Sequence, residues 1–252
     1  MKLFDLTGKR AVVTGSSRGI GRAMAEALLE AGATVVINGV SEQVHATADE
    51  LAVNAPGRVF PIQADLSQRQ EVKRLFDESL QTLGGLDILF ANHGIQRRHS
   101  AEAFPVEDWE AVLEVNLSSV FVLDQLAGQH MLANGGGKII NIASVTSFIG
   151  GMRVPAYAAA KGGIAQLTKA FSNEWVGRGV TVNAIVPGYI HTDMTDEMVH
   201  DAGYGASLLA RIPAGRWGVP DDLKGIAVFL ASAASDYVSG AIIPVDGGFL
   251  GR

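Results

Sequence analysis

Seven short apolar runs recur along this chain with helix-patterned stretches between most of them, and that alternation is its strongest constraint on fold. The runs are Arg10 to Val13, Thr34 to Ile37, Val59 to Gln63, Leu86 to Phe90, Lys138 to Ile142, Thr181 to Val186 and Ala241 to Val245. They are apolar nearly throughout, which is how strands buried on both faces read. Helical spacing follows in Ile20, Met24, Ala27 and Leu28, stopping at Gly32. It recurs in Val72 to Leu83, Trp109 to Met131, Tyr157 to Trp175 and Leu223 to Leu230. Right-handed crossovers between parallel strands then predict an α/β chain: a doubly wound parallel sheet of about seven strands with helices on both faces.

A chain of 252 residues is long enough for two small domains. The alternation runs nearly to the end, however, and no linker, repeat or low-complexity tract interrupts it, so one domain over 1–252 is expected. Hydrophobic residues make up 48% of the chain, enough for a core covered on both sides. There is no cysteine, which excludes disulfides and thiolate metal sites and points to a reducing, cytoplasmic setting. The formal charge of −6 argues against a nucleic-acid binder. No apolar run approaches the roughly 18 residues of a membrane span, and the first residues lack the apolar core of a secretion signal. The six histidines show no metal-ligand spacing, so no metal site is expected.

Ligands of a doubly wound sheet sit beyond the carboxyl ends of its strands. Gly15, Asn92, Ser144 and Pro187 fall there, after the first, fourth, fifth and sixth runs. The turn Gly15, Ser16, Ser17, Arg18, Gly19, Ile20, Gly21 opens a helix directly after a strand. Glycine there lets backbone approach a diphosphate, and exposed helix N–H groups favour its charge. Three glycines alone would also describe a tight strand–helix turn; the strand–turn–helix context strengthens the nucleotide reading. Asp65 and Leu66 suit the adenine edge, although Asp65 taken alone better suits capping the helical segment that begins at Ser67. Asn92 and Gly94 form a small turn suited to packing beside the adenosine. An acid at the end of the second run would grip a ribose 2′-hydroxyl and repel a 2′-phosphate. Asn38, Gly39 and Val40 stand there instead, and Arg18 is close by, so the cofactor is NADP or NAD with a lean to NADP.

Tyr157 and Lys161 are four residues apart in a helical pattern and share a face. A free phenol titrates near 10, too high for a good base at neutral pH. A neighbouring ammonium and an oxidised nicotinamide would both favour the phenolate. Tyr157 is then the expected acid–base group for a carbinol carbon exchanging hydride with the nicotinamide. Lys161 also reaches the nicotinamide ribose, Ser144 holds the substrate oxygen, and Asn116 anchors a water that relays protons from Lys161. Tyr-x-x-x-Lys recurs by chance in many helices. Its value here comes from a serine closing the fifth run just upstream.

Together these motifs resemble the short-chain dehydrogenase/reductases over essentially the whole length, with a Rossmann-type domain. His93 departs from that family's usual alanine. The resemblance implies that Pro187, Gly188, Ile190 and Thr192 contact the nicotinamide end, and that the chain forms a homotetramer. A narrower likeness joins Gly137 to Ser144, Arg153 to Pro155, Asn173 to Trp175 and Arg211 to Gly218 with 2-deoxy-D-gluconate 3-dehydrogenases. Gly94 to His99 instead resembles gluconate 5-dehydrogenases. Both groups imply a sugar-acid substrate. The residues agree: Arg97, Arg98 and Arg153 follow strand ends near the reacting carbon, and a guanidinium binds a carboxylate bidentately. Each of the three equally suits a surface salt bridge. The expectation is that Arg153, helped by Arg97 or Arg98, holds the carboxylate, with Ser144 and Tyr157 at the reacting oxygen. The least patterned stretch, 188–213, suits a substrate-binding loop. Reduction of 3-oxoacyl thioesters or small ketones, and non-catalytic nucleotide sensing, remain alternatives on the same fold.

Overall fold

The computed structural model describes residues 2–252. Its strands are β1 (Arg10–Val13), β2 (Thr34–Gly39), β3 (Val59–Gln63), β4 (Ile88–Ala91), β5 (Gly137–Ile142), β6 (Val180–Pro187) and β7 (Ile242–Val245). They form one sheet in the order β3-β2-β1-β4-β5-β6-β7, with every neighbour parallel. The winding reverses between β1 and β4, which opens the crevice a doubly wound sheet offers to ligands.

The apolar runs read as they do because successive side chains enter two different cores. Val13, Val35, Ile37, Phe90 and Ile140 pack on one face against Met24, Leu28, Val44, Leu51, Leu223 and Leu230. Their neighbours Val12, Val36, Leu89 and Ile139 pack on the other against Val72, Leu75, Leu123, Met131 and Trp175. The first set of partners belongs to α1 (Gly19–Glu30), α2 (Gln43–Ala52), the 3-10 turn Pro220–Leu223 and α9 (Lys224–Ala231), which follows it. The second belongs to α3 (Arg69–Leu83), α5 (Ser119–Ala133) and α6 (Pro155–Trp175). Each such side chain, fully buried, stabilises the fold by about 1.5–3 kcal/mol before the entropy of ordering is charged against it.

Three stretches depart from the sequence reading. Between β2 and β3 no helix is expected, yet α2 forms on a stripe of Val44, Thr47, Ala48 and Leu51. Only two of those four are large and apolar, so the period is faint in the sequence. The single helix expected from Trp109 to Met131 is instead α4 (Val106–Leu113), a π turn over Glu114–Ser118, and α5. By length and composition the whole run, Val106–Ala133, could cross a membrane, but half of its most apolar window is buried inside this fold. The loop expected at 188–213 carries two short helices, α7 (Asp196–His200) and α8 (Tyr204–Leu209).

One buried polar pair joins α5 to β5. The Asn141 amide donates to Asp124 Oδ2 at 2.9 Å, and both residues are wholly buried. Asp124 Oδ1 and Asn141 Oδ1 have no partner. Burial pushes the Asp124 carboxyl up to about 7, with the Asn141 amide acting the other way. A neutral carboxylic acid carries a proton to donate that an ionised one lacks.

Candidate active site

The crevice is a cleft of about 1760 Å³ along the carboxyl edge of the sheet. Single-ligand pockets run to roughly 300–1,000 Å³, so this one has room for a dinucleotide and a second molecule. The glycine turn forms one wall. Gly15 has φ +59, and a Cβ there would stand 2.8 Å from the His93 Cα. A Cβ on Gly21 would run into the Gly15 carbonyl oxygen and lie 2.5 Å from the Asn92 amide nitrogen. Arg18 caps α1 in extended backbone without any side-chain cap, leaving the first helical N–H groups for an anion. Asn92 fixes the turn from β4, its amide donating to the Thr14 and Gly15 carbonyls at 3.0 and 2.9 Å. These features fit a dinucleotide diphosphate.

At the ribose end the cleft is lined by Asn38, Gly39, Val40, Asp65 and Leu66. No acid comes from the end of β2. Asn38 is buried and turned inward, donating to the Ile62 and Ala64 carbonyls at 3.2 Å each. Asp65 Oδ1 accepts from the Ser67 N–H at 3.0 Å within a turn, but α3 begins at Arg69 with Gln68 as its N-cap, so Asp65 does not cap the helix and lines the cleft instead. Arg18 pairs with Asp193 at 3.0 Å, both largely exposed.

Ser144, Tyr157 and Lys161 line the opposite wall. Ser144 ends the β5 connection in extended backbone, and its Oγ accepts from the Thr146 N–H at 3.2 Å. Pro155 starts α6, its missing N–H costing nothing in the first turn, and the helix then sets Tyr157 above Lys161. Lys161 Nζ donates to the Ile142 carbonyl at 2.6 Å and lies 5.6 Å from the centre of the Tyr157 ring. Burial pulls the ammonium down to about 8. The phenol does not show the lowering expected from that ammonium. Burial pushes Tyr157 up, with the Ser144 hydroxyl and the Arg98 charge acting the other way. Desolvation outweighs both of these because the buried phenolate would lose its hydration.

Asn116 sits in the π turn and does not line the cleft. Its side chain binds the backbone after β4 twice: the Ile95 N–H donates to Oδ1 and Nδ2 donates to the Ile95 carbonyl, each at 2.8 Å. The π turn takes Asn116 out of regular α-helical geometry, and its side chain makes both of these hydrogen bonds. Pro187, Gly188, Ile190 and Thr192 line the cleft where β6 ends, beside Met194 and Thr195.

The three arginines separate. Arg97 and Arg98 line the cleft and Arg153 does not. Arg153 is exposed at φ 65, with its carbonyl accepting from the His99 N–H at 3.1 Å. Arg97 pairs with Asp108 at 3.3 Å. Arg98 is half-buried, its Nε and Nη2 donating to Gln96 Oε1 at 3.0 and 2.7 Å. The principal role expected for Arg153 therefore has its better geometry at Arg98.

A family model described as "Enoyl-(Acyl carrier protein) reductase" (adh_short_C2) matches residues 15–250. The 2-dehydro-3-deoxy-D-gluconate 5-dehydrogenase of Bacillus subtilis is 50% identical over 250 residues, covering 99% of this chain and 97% of that protein. The chain belongs to the short-chain dehydrogenase/reductase family. It is an oxidoreductase. The gluconate 5-dehydrogenase of Gluconobacter oxydans is 39% identical, with 98% of this chain and 96% of that one covered. A crystal structure of a gluconate 5-dehydrogenase from Burkholderia cenocepacia, in complex with NADP and tartrate, superposes with a TM-score of 0.95 at 42% identity, covering 100% of this chain and 98% of that one.

Gln96 and Asp193 escaped the sequence reading although each holds a cleft arginine. A glutamine two residues before an arginine, or an aspartate 175 positions from its partner, carries no local signature. His93, noted only as a departure from the family, is buried with both ring nitrogens bonded.

Proposed function

We propose that this protein interconverts a secondary alcohol and a ketone of a sugar acid, at the carbon-five hydroxyl of a 2-dehydro-3-deoxygluconate-like or gluconate-like substrate, using NADP(H) in preference to NAD(H). The carrying observation is the placement of Ser144, Tyr157 and Lys161 across one cleft from the glycine turn. A bound nicotinamide supplies or accepts the hydride. The chain's own residues do the rest. Tyr157 gives its phenolic proton to the substrate oxygen in reduction and takes it back in oxidation. Ser144 orients that oxygen. Lys161, held by the Ile142 carbonyl, keeps a cation beside the phenol. Asn116 fixes the wall between the glycine turn and the acid–base pair through Ile95.

Gly15, Ser17, Arg18, Gly19, Ile20 and Gly21 cradle the diphosphate, with Asp65, Leu66, Asn92 and Gly94 about the adenosine. Pro187, Gly188, Ile190 and Thr192 take the nicotinamide end, and 188–213 closes over the substrate. The absent acid at the end of β2, with Arg18 nearby, supports NADP, as does the NADP in the Burkholderia structure. Names of the similar proteins support the sugar acid and carbon five. Arg98 and Arg97 hold the carboxylate. The cysteine-free composition supports a cytoplasmic setting. A homotetramer is supported by the outer face of α5 and α6, where Phe121 is 37% exposed and stacks on Phe171.

Initial rates with NADP(H) and NAD(H) against gluconate, 2-deoxygluconate and 2-keto-3-deoxygluconate, in both directions, test this. Reduction or oxidation of a sugar acid with the phosphorylated cofactor is the expected result. Activity confined to uncharged ketones or thioesters overturns it. Arg98→Ala should raise KM for the acid about tenfold, the loss of one charge-assisted contact, and leave that of a neutral analogue unchanged. Arg153→Ala should do neither.

A further inference from the structure

His93 lies between the cofactor turn and the broken helix, and neither the proposed chemistry nor the nucleotide cradle uses it. Its Nδ1 is 2.7 Å from Thr14 Oγ1 and its Nε2 is 2.7 Å from Ser119 Oγ. Thr14 is the residue before Gly15; Ser119 follows the π turn that holds Asn116. Hydrogen-bond accounting at both ends assigns the same proton. Thr14 Oγ1 already accepts from the Asn92 N–H at 3.0 Å and the His93 N–H at 3.3 Å, which fills both lone pairs. Its own proton must therefore go outward, to the bare Nδ1 at 2.7 Å in preference to the Phe90 carbonyl at 3.3 Å. Ser119 spends its proton on the Val115 carbonyl at 2.7 Å, so it accepts from an Nε2–H.

We propose that His93 is a positioning residue, a neutral Nε2–H imidazole that clasps the dinucleotide turn at Thr14 to the Asn116 segment at Ser119 and so sets the width of the cofactor cleft. The clasp is short, buried and made by a planar ring with little freedom. It works in parallel with the Asn92 amide on Thr14 and the Asn116 amide on Ile95, and its two bonds span from one to the other. Burial supports the neutral form of the ring, and the Lys161 charge acts in the same direction.

This inference rests on the nicotinamide-dependent reading above, and its test keeps the two apart. NADPH binding, followed by the nucleotide's own fluorescence, needs no substrate. His93→Ala leaves Thr14 a carbonyl to bond and Ser119 its Val115 bond, so the variant is expected to fold, as thermal melting at pH 8 would show. It should bind NADPH about tenfold more weakly and turn over about tenfold more slowly. His93→Asn places an acceptor near the Nδ1 position and should recover most of the affinity, which a role in folding alone would not explain. Nitrogen NMR of the wild-type histidines should show His93 as the Nε2–H tautomer. Wild-type affinity in His93→Ala, equal weakening in both variants, or an Nδ1–H ring overturns the clasp. Failure of the wild type to bind either reduced cofactor overturns the oxidoreductase reading instead.

Discussion

Tyr157→Phe is expected to lower kcat by about 10²–10⁴-fold, the contribution of a positioned acid–base group. The change removes one oxygen and leaves the ring packed on α6, so affinity for NADPH should stay within about twofold and the fold should be unaltered. The phenol is the group at the cleft wall with a hydroxyl partner in Ser144, a cation 5.6 Å from its ring in Lys161 and a second in Arg98. Burial holds it protonated, so in the free protein it is poised to donate; removing a proton from it draws on the charges around it. Steady-state rates with a sugar-acid substrate, set beside NADPH titration, separate chemistry from binding. A rate near that of the wild type would remove Tyr157 from the mechanism and favour a nucleotide-sensing role, which has no use for the acid–base pair.

Stability should respond to pH through two buried groups whose effects have opposite sign. Burial lowers His93 from 6.5 to about 3, with the Lys161 charge adding to it. Between those values the unfolded chain binds a proton that the folded one refuses, so this contribution is lost as pH falls from about 6.5 toward 3. Asp124 is raised from 3.8 to about 7. In that window the folded chain holds a proton the unfolded one has released, so its contribution is lost as pH rises from about 4 to 7. Each slope is about 1.4 kcal/mol per pH unit, and they oppose one another from about pH 4 to 6.5. The wild type hides both. His93→Ala should therefore gain stability on the wild type as pH falls across this range, and Asp124→Asn should gain as pH rises, each by about 3 kcal/mol over two units. Asparagine keeps the shape of the pair with Asn141 and cannot ionise. Urea unfolding at several pH values checks this, comparing each variant with the wild type so that the other carboxylates cancel. Profiles that run parallel would mean that neither group is titrating as its surroundings dictate.

Most of the architecture is legible in the sequence because it repeats over short windows. Val12 and Val13, or Leu89 and Phe90, enter opposite cores, so the strand had to be apolar on both faces, and that pattern survives in the linear text. Tyr157 and Lys161 meet because a helix brings residues four apart together, and Ser144 and Gly15 belong to turns that end strands. All of that is local geometry, and the sequence alone determined it. Tertiary structure decided what depends on register between distant segments. It turned Asn38 inward, drew Asn116 out of a regular helix onto Ile95, chose Arg98 over Arg153 for the cleft, and gave His93 partners 79 and 26 positions away. A hydrogen bond across strands has no periodicity of its own; its partners are set by how far each strand slides past the next, and only the packed sheet fixes that.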